Sequence, residues 1–165
     1  MSTTSSPTPH TKPLADGVPR ELLASALFLL QRTGFAAKER SHEAFEETGL
    51  SPYHFAVLLI LDEGTCAAQW MIADRLGYDR SQIVGLLDDL EERELVFRKR
   101  DPVDRRRHLV TLTEAGRSTL AELRQVSKSI EDEFLAPLSA EERRTLHDLL
   151  LKVASHYNAR FAVKQ

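Results

Sequence analysis

Two β-rich runs, LVFRKR at residues 95–100 and RHLVTL at 107–112, flank DPVDRR, whose Asp and Pro content suits a turn, and together they predict an antiparallel hairpin. The segments on either side carry the three- and four-residue apolar spacing of helices, so the hairpin confines the fold to a mainly α class with one small β element (α+β). The hairpin also concentrates charge. Arg98, Lys99, Arg100, Arg105, Arg106 and Arg107 against Asp101 and Asp104 give +4 in a chain of formal net charge −3, which leaves −7 for the rest. A basic projection on an acidic body is the footprint of a protein that meets a polyanion at one place and is repelled from it elsewhere. Read alone, such a cluster is as well explained by a solvated charged hairpin, so its neighbours must decide.

Those neighbours are two short helices. Gln69 to Leu76 reads as the first, ended by Gly77, with Trp70, Ala73 and Leu76 or Met71, Ile72 and Leu76 as alternative inner faces; either way Trp70 is expected to pack rather than bind. Asp79-Arg80-Ser81-Gln82 then reads as a capping box ahead of a stripe formed by Ile83, Leu86, Leu87 and Leu90. Two short helices joined through LGYD make a helix-turn-helix, whose second helix enters the DNA major groove by its N-terminal end. Arg80, Ser81, Gln82 and Val84 occupy that end, whereas Asp88, Asp89, Glu91 and Glu92 further along would repel phosphate. For Gln82 two roles stay open: its amide either completes the capping box or reads adenine. With the hairpin directly behind, the unit is a winged helix-turn-helix, and the basic tip becomes a wing. Its Arg98, Lys99, Arg100, Arg105 and Arg107 are expected to touch phosphate or to be charges of the stem.

Helices flank this unit. Residues 1–18, rich in Ser, Thr and Pro, are expected to form a mobile tail. Pro19 and the spacing of Leu22, Leu23, Ala26, Leu29 and Leu30 begin a helix that continues to a stop at Gly49, with a bend allowed at Gly34. Ser51-Pro52 opens the next helix, with Gly64 in a left-handed position at its end. Thr113-Glu114 opens a long helix closed by Pro137, and Ser139 with Glu142 caps a last one carrying Leu146, Leu149, Leu150, Val153 and Tyr157 on one face. The expected division is 1–18 tail, 19–49 first helix, 50–112 DNA-binding unit and 113–165 C-terminal helices.

Other classes find little support. The chain of 165 residues has one cysteine, Cys66, so no intrachain disulfide holds it, and a reducing, cytoplasmic setting is expected. No run approaches the roughly 18 apolar residues of a membrane span, and no signal-peptide pattern opens the chain. His42, His54, His147 and His156 lack metal-like spacing, and no phosphate loop or nucleophile elbow is present, so no metal, cofactor or catalytic role is expected. The alternative to a DNA-binding regulator is a helical protein-interaction adaptor.

The stretch DRLGYDRSQIVGLLDDLEERELVFRKRDPVDRRRHLVTLTEAGR resembles the core of the MarR family of bacterial transcription regulators over about residues 50–120, with DPxDRR and the following LT-x-x-G as the specific part. The resemblance implies a homodimer built through the flanking helices, bound to a pseudo-palindromic double-stranded DNA operator. It implies that Arg106 enters the minor groove, where a narrow groove favours arginine, and that Asp104 holds the wing arginines in place. It also implies repression relieved by a small-molecule effector, often aromatic or phenolic, or by oxidation. His42, Tyr53 and His54 are the polar groups placed near the effector pocket by that resemblance. Three departures stand out. Glu94 replaces a glycine common after the recognition helix, Gly85 replaces a frequent arginine, and Cys66 does not lie in the first helix, where oxidation-sensing members keep their reactive thiol.

Overall fold

The computed structural model describes residues 17–64, 67–102, 104 and 108–162. The chain divides into two compact units, 1–36 and 37–165. Within the first, α1 (Arg20–Leu23) stops after one turn, and α2 (Ala26–Glu46) starts there and ends in the second unit. The break therefore falls at Ala24-Ser25 and not at Gly34, which α2 carries through without interruption. Ser25 supplies the reason: its Oγ accepts the Phe28 N–H at 3.3 Å, restarting the helix in the manner of an N-cap. Leu22, Leu23, Leu27, Leu29, Leu30 and Phe35 of this unit all remain exposed.

In the second unit α3 (Pro52–Glu63), α4 (Gln69–Leu76), α5 (Arg80–Glu92), α6 (Glu114–Phe134) and α7 (Ala140–Tyr157) follow, with a 3₁₀ turn at Ala159–Phe161. Between them β1 (Ala67–Ala68), β2 (Val96–Arg100) and β3 (His108–Leu112) form an antiparallel sheet in the order β1-β3-β2. The predicted hairpin is the β2-β3 pair, in register from Val96 opposite Leu112 to Arg100 opposite His108, and β1 adds a third, edge strand. Gly77 ends α4 at φ +70°, as its sequence position implies, but Gly64 ends α3 in extended backbone at φ −133°, because the chain leads on toward the β1 edge of the sheet.

The core lies where α3, α5, α6 and the sheet converge. Val57, Leu58, Ile72, Ile83, Leu87, Leu90, Val110 and Leu120 are wholly buried there, each stabilising the fold by roughly 1.5–3 kcal/mol relative to exposure. The inner face of α4 consists of Ile72 and Ala73, with Leu76 half-buried, so Trp70 and Met71 point outward. The packing expected of Trp70 is thereby corrected: Ile72 takes the core position, and an indole one-half turn away has nowhere inside to go. Thr113 joins α6 to the sheet, donating its hydroxyl to the Glu94 carbonyl at 2.7 Å and accepting the Gly116 N–H at 2.9 Å. Among the described residues no helix is long and apolar enough to cross a membrane.

Candidate nucleic-acid interface

The N-terminal end of α5 is built by Asp79. Its carboxylate accepts the Gln82 N–H at 2.8 Å and the Ser81 hydroxyl at 2.5 Å, and these bonds hold it below the usual carboxylate range. The reciprocal half of the expected capping box, the Gln82 side chain accepting the Asp79 backbone N–H, is not made, and the Ser81 hydroxyl is a second donor to the Asp79 carboxylate. Burial of Ile83, Leu87 and Leu90 fixes the rotation of α5, leaving Arg80, Ser81, Gln82, Val84 and Gly85 exposed along one edge. The four recognition-helix candidates thus stand together, and Gln82 keeps its side-chain amide out of the cap. At Gly85 nothing lies within 4 Å of where a Cβ would stand, so the missing arginine leaves open space rather than a packing requirement.

The wing candidates separate into two kinds. Lys99 and Arg100 are exposed on β2. Arg98 turns back onto α5, where its Nε donates to Glu91 at 2.7 Å and its Nη1 meets Asp88 at 2.7 Å. The Glu91 side chain also accepts the Arg98 backbone N–H at 3.1 Å. Arg98 holds the Glu91 carboxyl below its usual range, while Glu91 and Asp88 hold the guanidinium charged. Arg98 is therefore a stem charge. Shared between Asp88 and Glu91, its one positive charge offsets part of theirs, so the C-terminal half of α5 is less negative than its composition. At the tip, the Asp101 carboxylate accepts the Asp104 backbone N–H at 3.4 Å. Arg105, Arg106, Arg107 and Cys66 lie outside the described residues.

The effector candidates also divide. His42 meets Tyr53 at a tilt of 57° with ring centroids 5.6 Å apart, and Tyr53 meets Tyr78 edge-on at the same distance. Burial, followed by the neighbouring Tyr53, pushes the Tyr78 phenol up. His54 instead completes the cap of α3. Its Nδ1 accepts the Ser51 N–H at 3.0 Å, and Ser51 Oγ accepts the His54 N–H at 3.3 Å. Nδ1 accepts only if the proton sits on Nε2, so the ring is the neutral Nε2–H tautomer. Nε2 lies 3.1 Å from Asp89 Oδ2 but without hydrogen-bond alignment, making this contact electrostatic in character.

Sequence reasoning missed three residues of this face. Gln69 and Trp70 of α4, with His108 of β3, line a cleft of about 510 Å³ together with Arg80 and Val84. The available signal was positional: Gln69 and Trp70 open the first helix of the pair, the one that crosses the DNA backbone in helix-turn-helix proteins. It also missed the C-terminal turn, where Arg160 donates from Nε to the Asp74 carbonyl at 2.7 Å. That guanidinium sits over the Gly77 turn, 3.3 Å from where a Cβ would stand.

A helix-turn-helix with an exposed cationic helix end, followed by a basic two-stranded wing, defines a winged helix DNA-binding protein. The relatives agree. The MarR family model matches residues 48–107. A regulatory protein of Thauera aromatica named for the hcr operon is 31% identical over 146 residues, 88% of each chain. The structure is similar to that of the transcriptional repressor CouR bound to a 23-mer DNA duplex, at 35% identity and TM-score 0.75, over 81% of this chain and 95% of that one. It is similar also to CouR of Rhodococcus jostii RHA1 bound to p-coumaroyl-CoA, at 33% identity and TM-score 0.68, over 81% and 94%. The chain belongs to the MarR family, and is a DNA-binding transcriptional regulator rather than an enzyme.

Proposed function

We propose that the protein is a homodimeric repressor that binds a pseudo-palindromic operator and is released by a small aromatic or phenolic effector. The observation that carries the DNA half is the exposed edge of Arg80, Ser81, Gln82 and Val84 at the start of α5, followed by exposed Lys99 and Arg100 on the wing, while Arg98 offsets part of the charge of Asp88 and Glu91. Arg80 and Gln82 read base edges in the major groove, Ser81 keeps Asp79 in place, and Lys99 and Arg100 hold phosphate. Arg106 enters the minor groove, with Arg105 and Arg107 on the flanking phosphates and Asp104 positioning the tip. Residues 50–112 form the DNA-binding part, while 19–49 and 113–165 form the dimer.

Similarity to CouR, which has been captured with a DNA duplex and with p-coumaroyl-CoA, supports an effector containing an aromatic acyl group. The His42-Tyr53-Tyr78 ring series supplies aromatic faces and a phenol for such a ligand. Release follows if the effector binds better to a dimer whose recognition helices are misplaced for successive major grooves, and its effect is limited to that differential affinity. The test is selection of bound duplexes from genomic DNA, followed by mobility shift with wild type and Arg106→Ala. A salt-sensitive shift on a two-fold sequence, much weakened in the variant, supports the reading. No shift at low salt points to a protein adaptor instead, and unchanged affinity in the variant removes Arg106 from the interface.

A further inference from the structure

Trp70 is the one tryptophan in the chain, and 51% of its surface is exposed. An indole carries a large apolar face, and leaving half of it in water needs a reason when the same helix buries Ile72 completely. The cleft beside Trp70 differs in charge from the surfaces around it. Among the described residues its polar lining is Gln69, Arg80 and His108, with no carboxylate. The hollow that adjoins it at Trp70, Ala73 and Arg80 contains Asp74 and Asp79, and the one that adjoins it at Gln69, Val84 and His108 contains Glu91. Each of those acids is engaged, Asp74 beside Arg160, Asp79 within its cap and Glu91 with Arg98. The cleft between α4 and the start of α5 thus carries no carboxylate of its own among the described residues, and the acids that border it are each paired or capped. A polyanion is the occupant complementary to it.

From this we infer that Trp70 is a DNA contact: the sugar-phosphate backbone flanking the groove entered by α5 packs on its ring, and the indole N–H donates to a phosphate oxygen. The inference rests on the DNA-binding reading above and adds a residue to it. The geometry follows from the two-helix unit, in which the first helix crosses the backbone while the second reads bases. Trp70 lines the same cleft as Arg80 and Val84, so the backbone flanking the bases that Arg80 reads passes over the indole. Because Trp70 is uncharged, its contribution differs in kind from that of Lys99 or Arg100. Each phosphate-neutralising cation adds about one unit to the slope of log affinity against log salt, and Trp70 adds none.

The test uses the full-length protein with its selected operator duplex, measuring tryptophan emission during titration and affinity across a salt series for wild type, Trp70→Phe and Trp70→Ala. Binding is expected to shift or quench the emission. Trp70→Ala should lose about tenfold in affinity, comparable to one hydrogen bond to a charged oxygen, with the salt slope unchanged. Trp70→Phe, keeping a ring without the donor, should fall between the two. Since the side chain lies outside the core, both variants should retain the wild-type melting temperature. A shift of DNA by the wild type with emission unmoved and Trp70→Ala equally tight overturns the inference and leaves the function standing. Emission that responds to a planar aromatic compound but not to DNA also overturns it, making the cleft a small-molecule site. Absence of any DNA shift by the wild type removes both.

Discussion

At Arg98 the first cation of a basic run serves the fold. The two cations that follow it, Lys99 and Arg100, face solvent, whereas its guanidinium is shared by Glu91 and Asp88. Arg98→Ala is expected to cost about 1–2 kcal/mol in chemical unfolding, the range of partly exposed charge-assisted bonds, and to release two acids toward the DNA face. The same pair predicts an acid response. Glu91 is held below the usual carboxylate range by Arg98, so its contribution is present above about pH 4.3 and is lost as pH falls through the lowered value. Unfolding curves of the variant should lack that loss. The neighbouring departure at Glu94 is of a different type. The chain leaves α5 with Glu94 at φ +58°, the left-handed region that the glycine of other family members would occupy without strain. Glu94→Gly should raise stability by about 0.5–1 kcal/mol, the relief of backbone strain less the entropy of a freer unfolded chain. The sequence raised this question but left its answer open, since strain and an alternative helix ending were equally compatible with ELV. Likewise, the sequence leaves Arg98, Lys99, Arg100, Arg105 and Arg107 together as phosphate contacts or stem charges, because the contacts that recruit Arg98 lie seven and ten residues back on another element.

Helix starts were legible because their signals are local. Ser51, Asp79, Thr113 and Ser139 each cap the helix that the sequence assigns to them, since an oxygen and an amide three residues apart need no tertiary partner. Helix faces were less legible. An eight-residue helix such as α4 offers too few turns to choose between the stripes Trp70-Ala73-Leu76 and Met71-Ile72-Leu76, and the observed inner face, Ile72 with Ala73, draws on both and leaves Trp70 to the cleft. The α3 cap contains a pH dependence. Burial lowers the His54 pKa, Asp89 opposes the change and Arg93 adds to it. The unfolded imidazole takes a proton below about pH 6.5 while the folded ring stays neutral further down, so stability should fall as pH drops through that window. His54→Gln keeps an acceptor for the Ser51 N–H and should flatten the difference, as measured by melting temperature against pH. A second element-level constraint sits at Gly116, where a Cβ would overlap the Leu95 carbonyl. Gly116→Ala must push α6 away from the sheet, and a loss of about 3 kcal/mol or more, with a lowered melting temperature, is expected.

For the molecule as a whole, the telling element is α7, an 18-residue helix that buries none of its residues within the single chain. Leu149, Val153 and Tyr157, four residues apart, stand 57%, 48% and 84% exposed, with Leu150 beside them. An isolated helix of this length is marginal in water even with a good cap, and monomeric proteins seldom leave so continuous an apolar face uncovered. A second copy is the cover that the proposed function requires. On that reading each buried Leu or Val supplies roughly 1.5–3 kcal/mol across the interface, and replacing two with carboxylates also opposes like charges about the two-fold axis. Leu149→Asp with Val153→Asp should therefore weaken self-association by about a hundredfold or more and reduce helicity as α7 frays. Operator binding should fall with it, because one subunit presents one recognition helix to a site with two. Sedimentation over a concentration series gives the first quantity, and circular dichroism and mobility shift give the others. A double variant that sediments and binds DNA like the wild type would place the dimer contact on another face of the molecule.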